Sequence, residues 1–151
     1  MSDAILTCIL LNIPTTTLTL YVSLAMQHCY VSLRKLFISG LLLGILVTIY
    51  RNLPIPFGLH IPLFILTLIV AVQHLGNNTW GMSCLFSMAT YLITAVGEYL
   101  TASILVALGM PIKEIVKSTW LIIMAGWLSN IFLVAFAVAL SIRHAKVSVR
   151  Q

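Results

Sequence analysis

Charge is what this 151-residue chain has least of: three acids and eight Lys or Arg, 7% of the residues, where a water-soluble domain carries about a quarter. Hydrophobic residues make up 61%, and the mean hydropathy is +1.12. Such a composition leaves the bilayer as the solvent. It excludes a disordered chain, a soluble enzyme, and a protein whose main business is nucleic acid. Cysteine is scarce as well. Cys8, Cys29 and Cys84 have no metal-ligand spacing. Cys8 and Cys29, read as lying on one helix, stand about 31 Å apart at 1.5 Å per residue, too far to bridge. The patterns GxxxxGK[ST], GxGxxG and HExxH and the EF-hand loop are all missing, so the sequence points to no cofactor, no metal and no reaction. Met1-Ser2-Asp3-Ala4 lacks the basic start of a cleavable signal, and the apolar stretch after it is expected to be retained as a span.

Apolar runs fill most of the chain. Residues 4–33 hold no formal charge, more than the roughly 20 that cross a hydrocarbon core. They predict a first span over residues 5–31, kinked near Pro14, with the hydroxyls of Thr15, Thr16, Thr17 and Thr19 available to carbonyls that the proline frees. Arg34 and Lys35 follow. A second, short span is predicted over residues 36–50, about 22 Å of helix, with Arg51 able to snorkel and a re-entrant segment as the alternative. Within it Gly40 and Gly44 form a GxxxG, a helix-packing face whose partner is either this chain or a second copy. Pro54, Pro56 and Gly58 read as a loop, and Pro62 suits the first turn of a short third span over residues 61–75.

Gly76-Asn77-Asn78-Thr79 is a polar turn, with only a weak match to a glycosylation sequon. Trp80 to Met110 reads as one helix of about 46 Å, so a fourth span over residues 81–108 must tilt, break or leave the membrane before Gly109-Met110-Pro111 stops it. Ile112, Ile115 and Val116 opposing Lys113, Glu114 and Lys117 predict a short interfacial helix. A fifth span is expected over residues 118–140, with Trp120 at the interface and the small pairs Ala125–Ser129 and Ala135–Ala139 for packing, followed by a basic tail over residues 141–151. The expectation is therefore one all-α membrane domain over residues 1–151, a polytopic bundle of about five transmembrane helices plus the interfacial helix. Five crossings place Arg34, Lys35, Arg143, Lys146 and Arg150 on one side, against Arg51, Lys113 and Lys117 on the other. The positive-inside rule then puts the N-terminus outside and the C-terminus in the cytoplasm.

Glu98 is the candidate site residue, because a carboxylate in hydrocarbon costs several kcal/mol unless it is protonated, paired or hydrated. Tyr91 and Thr94 precede it by seven and four residues on one helix face and are placed to hydrogen-bond it. Three readings stay open: a ligand, proton or ion contact inside the bundle, a structural clamp between helices, or an interfacial acid. His28, His60, His74 and His144 have no metal spacing and read as interfacial anchors, as do Trp80 and Trp120. Ser83 and Ser87 have no neighbouring His and acid to activate them, and read as packing residues.

Residues from about Leu33 to Leu140 resemble the transmembrane sensor region of Agr-type quorum-sensing histidine kinases of Gram-positive bacteria. The resemblance rests on Leu53-Pro-Ile-Pro-Phe-Gly-Leu-His60 between two short spans, Trp80 after a polar turn, Gly97-Glu98 late in a long helix, and Gly109 followed by Lys113-Glu114-Ile115. It implies a receptor in a bacterial plasma membrane that takes an extracellular or intramembrane cue, a peptide or small molecule, and passes helix motion to a kinase. Only residues 141–151 follow the last span, so no kinase activity is expected and His144 reads as part of a basic anchor. The expected partners are the lipid bilayer, a second copy through Gly40 and Gly44, and a full-length histidine kinase. The rival expectation is a small transporter or channel subunit with Glu98 as proton or ion site. Against it stand the lack of an internal repeat and a single intramembrane acid.

Overall fold

Hydrocarbon offers the backbone no hydrogen-bond partners, so each apolar run must satisfy its own amides by coiling. The computed structural model describes residues 2–53, 58–111 and 117–148, with side chains from residue 3 to residue 140. Among the described residues the fold is all-α. Its helices are α1 (Ser2–Thr7), a π-helical turn (Cys8–Asn12), α2 (Ile13–Met26), α3 (Leu33–Asn52), α4 (His60–Gly76), α5 (Trp80–Ala107) and α6 (Thr119–Ser148). Residues Asp3–Met26 run as one helix, and with α3, α5 and Thr119–Leu140 of α6 they make four helices long and apolar enough to cross a membrane. At 17 residues, α4 is apolar but shorter.

Several boundaries differ from expectation. The first helix stops at Met26 rather than near residue 31, because His28 takes a left-handed φ of 57° and the amide of Cys29 folds back to the Leu24 carbonyl. The second helix is not short. It takes in Arg34 and Lys35 at one end and Arg51 and Asn52 at the other, reaching 20 residues, about 30 Å, long enough for a full crossing. Unbroken over 28 residues, α5 ends as expected at Gly109, whose φ of 85° lets Met110 N–H reach the Leu105 carbonyl and Gly109 N–H the Val106 carbonyl. Backbone helix in α6 continues past residue 140 to Ser148, where a tail was expected. Residues 112–116 of the predicted interfacial helix, and the loop prolines Pro54 and Pro56, lie outside the described residues, while Lys117 is described and exposed.

At the centre, α2 touches α3, α4, α5 and α6. Its Leu20, Val22 and Leu24 join Leu36, Leu43, Leu68, Val72 and Leu133 in the two apolar clusters of the interior. Thr16, Thr19 and Ser23 are buried in the same helix. Thr16 Oγ1 lies 2.8 Å from both the Asn12 carbonyl in its own helix and the Gly40 carbonyl of α3, between which its single hydrogen is shared, and Ser23 donates to the Thr90 hydroxyl at 3.0 Å. The face α5 turns inward is polar too, with Ser83, Ser87, Thr90, Thr94 and Thr101 buried beside Gly97. Small polar side chains let helices approach while hydrogen-bonding within them, which suits a bundle that gains nothing from hiding leucine from lipid.

The partner of the Gly40–Gly44 face lies in this chain. A Cβ on Gly40 would collide with Thr17, and one on Gly44 would come within 2.7 Å of Ile13. A second copy has to use another face. Of the expected small pairs on α6, Ser129 is buried, whereas Ala135 and Ala139 are exposed in an outer groove beside Phe132 and Phe136. Close approach is made also by Gly126, where an added Cβ would collide with Leu11, and by Gly97, where one would lie 3.1 Å from the Ser129 carbonyl.

Candidate functional site

Pro14 has no N–H for the carbonyl of Leu10, four residues earlier. The threonines that follow donate to other carbonyls: Thr17 to Ile13, and Thr19 to Thr15, each at 2.7 Å. Trp127 of α6 reaches across and gives its indole N–H to Leu10 at 2.9 Å. Beside this break the π turn inserts an extra residue, and its last two, Leu11 and Asn12, are buried. Both line a cavity of about 160 Å³ at the end of the bundle where α3 and α5 finish and α4 and α6 begin.

Its floor is polar and uncharged, built from the buried Asn12, Thr16 and Thr19 of the first helix, Thr94 of α5 and Ser129 of α6. Apolar wall is supplied by Leu11, Val47, Ile61 and Phe64. At the mouth stand Arg51, in the last turn of α3, and Glu98 of α5, both exposed, with Tyr50 and His60 between the ends of α3 and α4. Arg51 is held in place: its Nη1 donates to Asn12 Oδ1 at 3.3 Å, Asn12 Nδ2 donates to Thr48 Oγ1 at 2.8 Å, and Thr48 donates to the Gly44 carbonyl at 2.8 Å. Its charge acts on Glu98 and on the Tyr91 hydroxyl. Among the described residues, none forms a hydrogen bond or a direct ion pair with Glu98.

All three residues singled out from the sequence, Glu98, Tyr91 and Thr94, line this cavity. They do not bond one another as expected. Thr94 donates to the Thr90 carbonyl at 3.0 Å, and the Tyr91 ring lies tilted against Phe64 at a centroid distance of 6.2 Å. Gly40 and Gly44 sit away from the cavity, on the α3 face that meets the first helix. Sequence reasoning passed over Asn12 and Asn130, the amides inside the first and last spans. Asn130, 1% exposed, donates to Thr15 at 2.8 Å, while its Oδ1 has no partner. An amide at mid-span is itself a signal, because hydrocarbon cannot solvate it. From the sequence Arg51 reads as a snorkelling span end and His60 as an interfacial anchor, and only the fold brings both to the cavity that Glu98 lines.

Chemically, the arrangement offers a cationic donor held by Asn12, a carboxylate on another helix, and a buried floor lined by hydroxyls and an amide. Such a constellation can bind and orient a polar ligand. Among the described residues, no three His, Cys, Asp or Glu side chains gather to hold a metal. No family model, no curated protein and no solved structure matches this chain.

Proposed function

We propose that this membrane protein is a sensor module whose ligand seat is the Arg51–Glu98 cavity and whose output is rearrangement of its helices, without catalysis of its own. One observation carries the reading: the cavity is walled by residues of the first helix, α3, α4, α5 and α6 together. A ligand that fits one arrangement of those helices better than another shifts the population toward it. The output helix is α6. It contributes Gly126 and Ser129 to the cavity and runs on as helix to Ser148, so a shift at the wall is carried to the far end. The sequence resemblance to the input region of two-component histidine kinases supports the same role. A bacterial plasma membrane, an outward cavity, a cytoplasmic C-terminus and a kinase or a second copy as partner belong to this proposal.

The test uses spin labels at Ile38→Cys of α3 and Val138→Cys of α6, both lipid-exposed, with the three native cysteines replaced by serine and the protein in nanodiscs. Short peptides and small polar metabolites are added in turn. The expected result is a changed α3–α6 distance distribution with an active compound, and no change in Glu98→Gln. Proton or ion flux into proteoliposomes that vanishes in Glu98→Gln, with no distance change, would replace the sensor with a transporter.

A further inference from the structure

We propose that the cavity is built for a small zwitterion, its ammonium set against Glu98 and its carboxylate against Arg51. The inference rests on reading this cavity as the ligand seat. The two charges have opposite sign, stand on different helices, and line one cavity without closing on each other. A lone cation drawn to Glu98 is repelled by Arg51, and a lone anion drawn to Arg51 is repelled by Glu98. The two effects largely cancel, and the surplus charge must still be desolvated. A molecule with one charge of each sign gains at both ends and adds no net charge to a site at the membrane boundary.

Geometry favours the same class. Asn12 takes only Nη1 of Arg51, which leaves the rest of the guanidinium fork for a carboxylate. No described residue hydrogen-bonds Glu98, whose carboxylate can accept from an ammonium. Phe64, Ile61 and Val47 give the carbon chain between the two charges an apolar wall. Size sets the limit. A cavity of about 150 Å³ takes a benzene, so the 160 Å³ here suits about six to eight heavy atoms, the range of β-alanine, γ-aminobutyrate and glycine betaine.

The experiment measures binding of radiolabelled β-alanine and γ-aminobutyrate to the full chain in nanodiscs, with unlabelled glycine betaine, acetate and methylammonium as competitors at constant ionic strength. At least one zwitterion is expected to bind and to be displaced by another at a concentration about tenfold below that needed with acetate or methylammonium. Arg51→Gln and Glu98→Gln are each expected to weaken zwitterion binding about tenfold or more. They should also diverge in sign, Arg51→Gln coming to prefer methylammonium and Glu98→Gln acetate, a selectivity that general misfolding does not produce. Failure of all three zwitterions to bind, equal competition by the singly charged ions on the unaltered protein, or loss of binding without that divergence overturns the inference. Zwitterion binding with no change in the α3–α6 distance overturns the sensor reading alone. A distance change driven by acetate or methylammonium alone overturns the zwitterion and leaves the sensor.

Discussion

Gly40 and Gly81 are the same residue in two helices and face opposite physics. At Gly40 a Cβ would run into Thr17, whose backbone Cα is 2.9 Å from that position, so the helices themselves have to move. At Gly81, near the start of α5, nothing lies within 4 Å of an added Cβ. Gly40→Leu is therefore expected to destabilise the bundle by about 1–3 kcal/mol or more through overpacking. Gly81→Ala is expected to leave it unchanged, or to stabilise it by up to about 1 kcal/mol through helix propensity. Steric-trap unfolding in detergent micelles reads both, and equal effects at the two positions would refute the assignment of the Gly40 face to the first helix. The GxxxG spacing made Gly40 and Gly44 legible from sequence as a packing face. Gly97 and Gly126 also sit against neighbouring helices but lack a second glycine at that spacing, so only the fold marks them as packing positions.

In the first helix, the proline, the π turn and a distant tryptophan form one unit. Pro14 was legible as a disturbance, but its remedy was not, since the Leu10 carbonyl is answered by Trp127 across the bundle. Trp127→Phe removes that donor and keeps a ring at the helix contact. The expected cost is about 0.6 kcal/mol, the average for hydrogen bonds between membrane helices, and at most about 1.7 kcal/mol. Pro14→Ala supplies an N–H that can serve Leu10 within its own helix. Trp127→Phe is then expected to cost measurably less in the Pro14→Ala background than in the native one. A double-mutant cycle on unfolding free energy checks the pair, and additive effects would show that the indole does not stand in for the missing amide. The cavity escaped sequence reading for the same reason. Glu98, Tyr91 and Thr94 share one helix and one periodicity, whereas Asn12 and Arg51 join them only through packing of three helices.

Across the whole molecule, hydropathy made the all-α bundle legible and left the short segments ambiguous, because window length rather than composition decides whether a helix crosses. The second predicted span lengthens to a full crossing once its terminal Arg34, Lys35 and Arg51 are counted as helix, since long basic side chains can lie along a helix end and place their charge at the headgroups. No such extension rescues α4. Its 17 residues reach about 26 Å against a hydrocarbon core near 30 Å, so it crosses only if the bilayer thins around it or its neighbours shield its ends. Its packing favours crossing: Leu68 and Val72 are fully buried, Phe64 meets Tyr91 near one end, and at the other the turn residue Asn78 donates to Gln27 at 2.8 Å. Leu59→Cys and Thr79→Cys, at exposed positions beyond the two ends of α4, decide the matter in a background without the native cysteines. In sealed vesicles of one orientation, a membrane-impermeant maleimide is expected to label one of them directly and the other only after permeabilisation. With the basic pair Arg34 and Lys35 held inside, Leu59→Cys should be the one labelled from outside, on the same face as the cavity mouth. Labelling of both from one side would make α4 re-entrant, leave four crossings, bring the two ends of the chain to the same face, and remove the outward cavity on which the receptor reading depends.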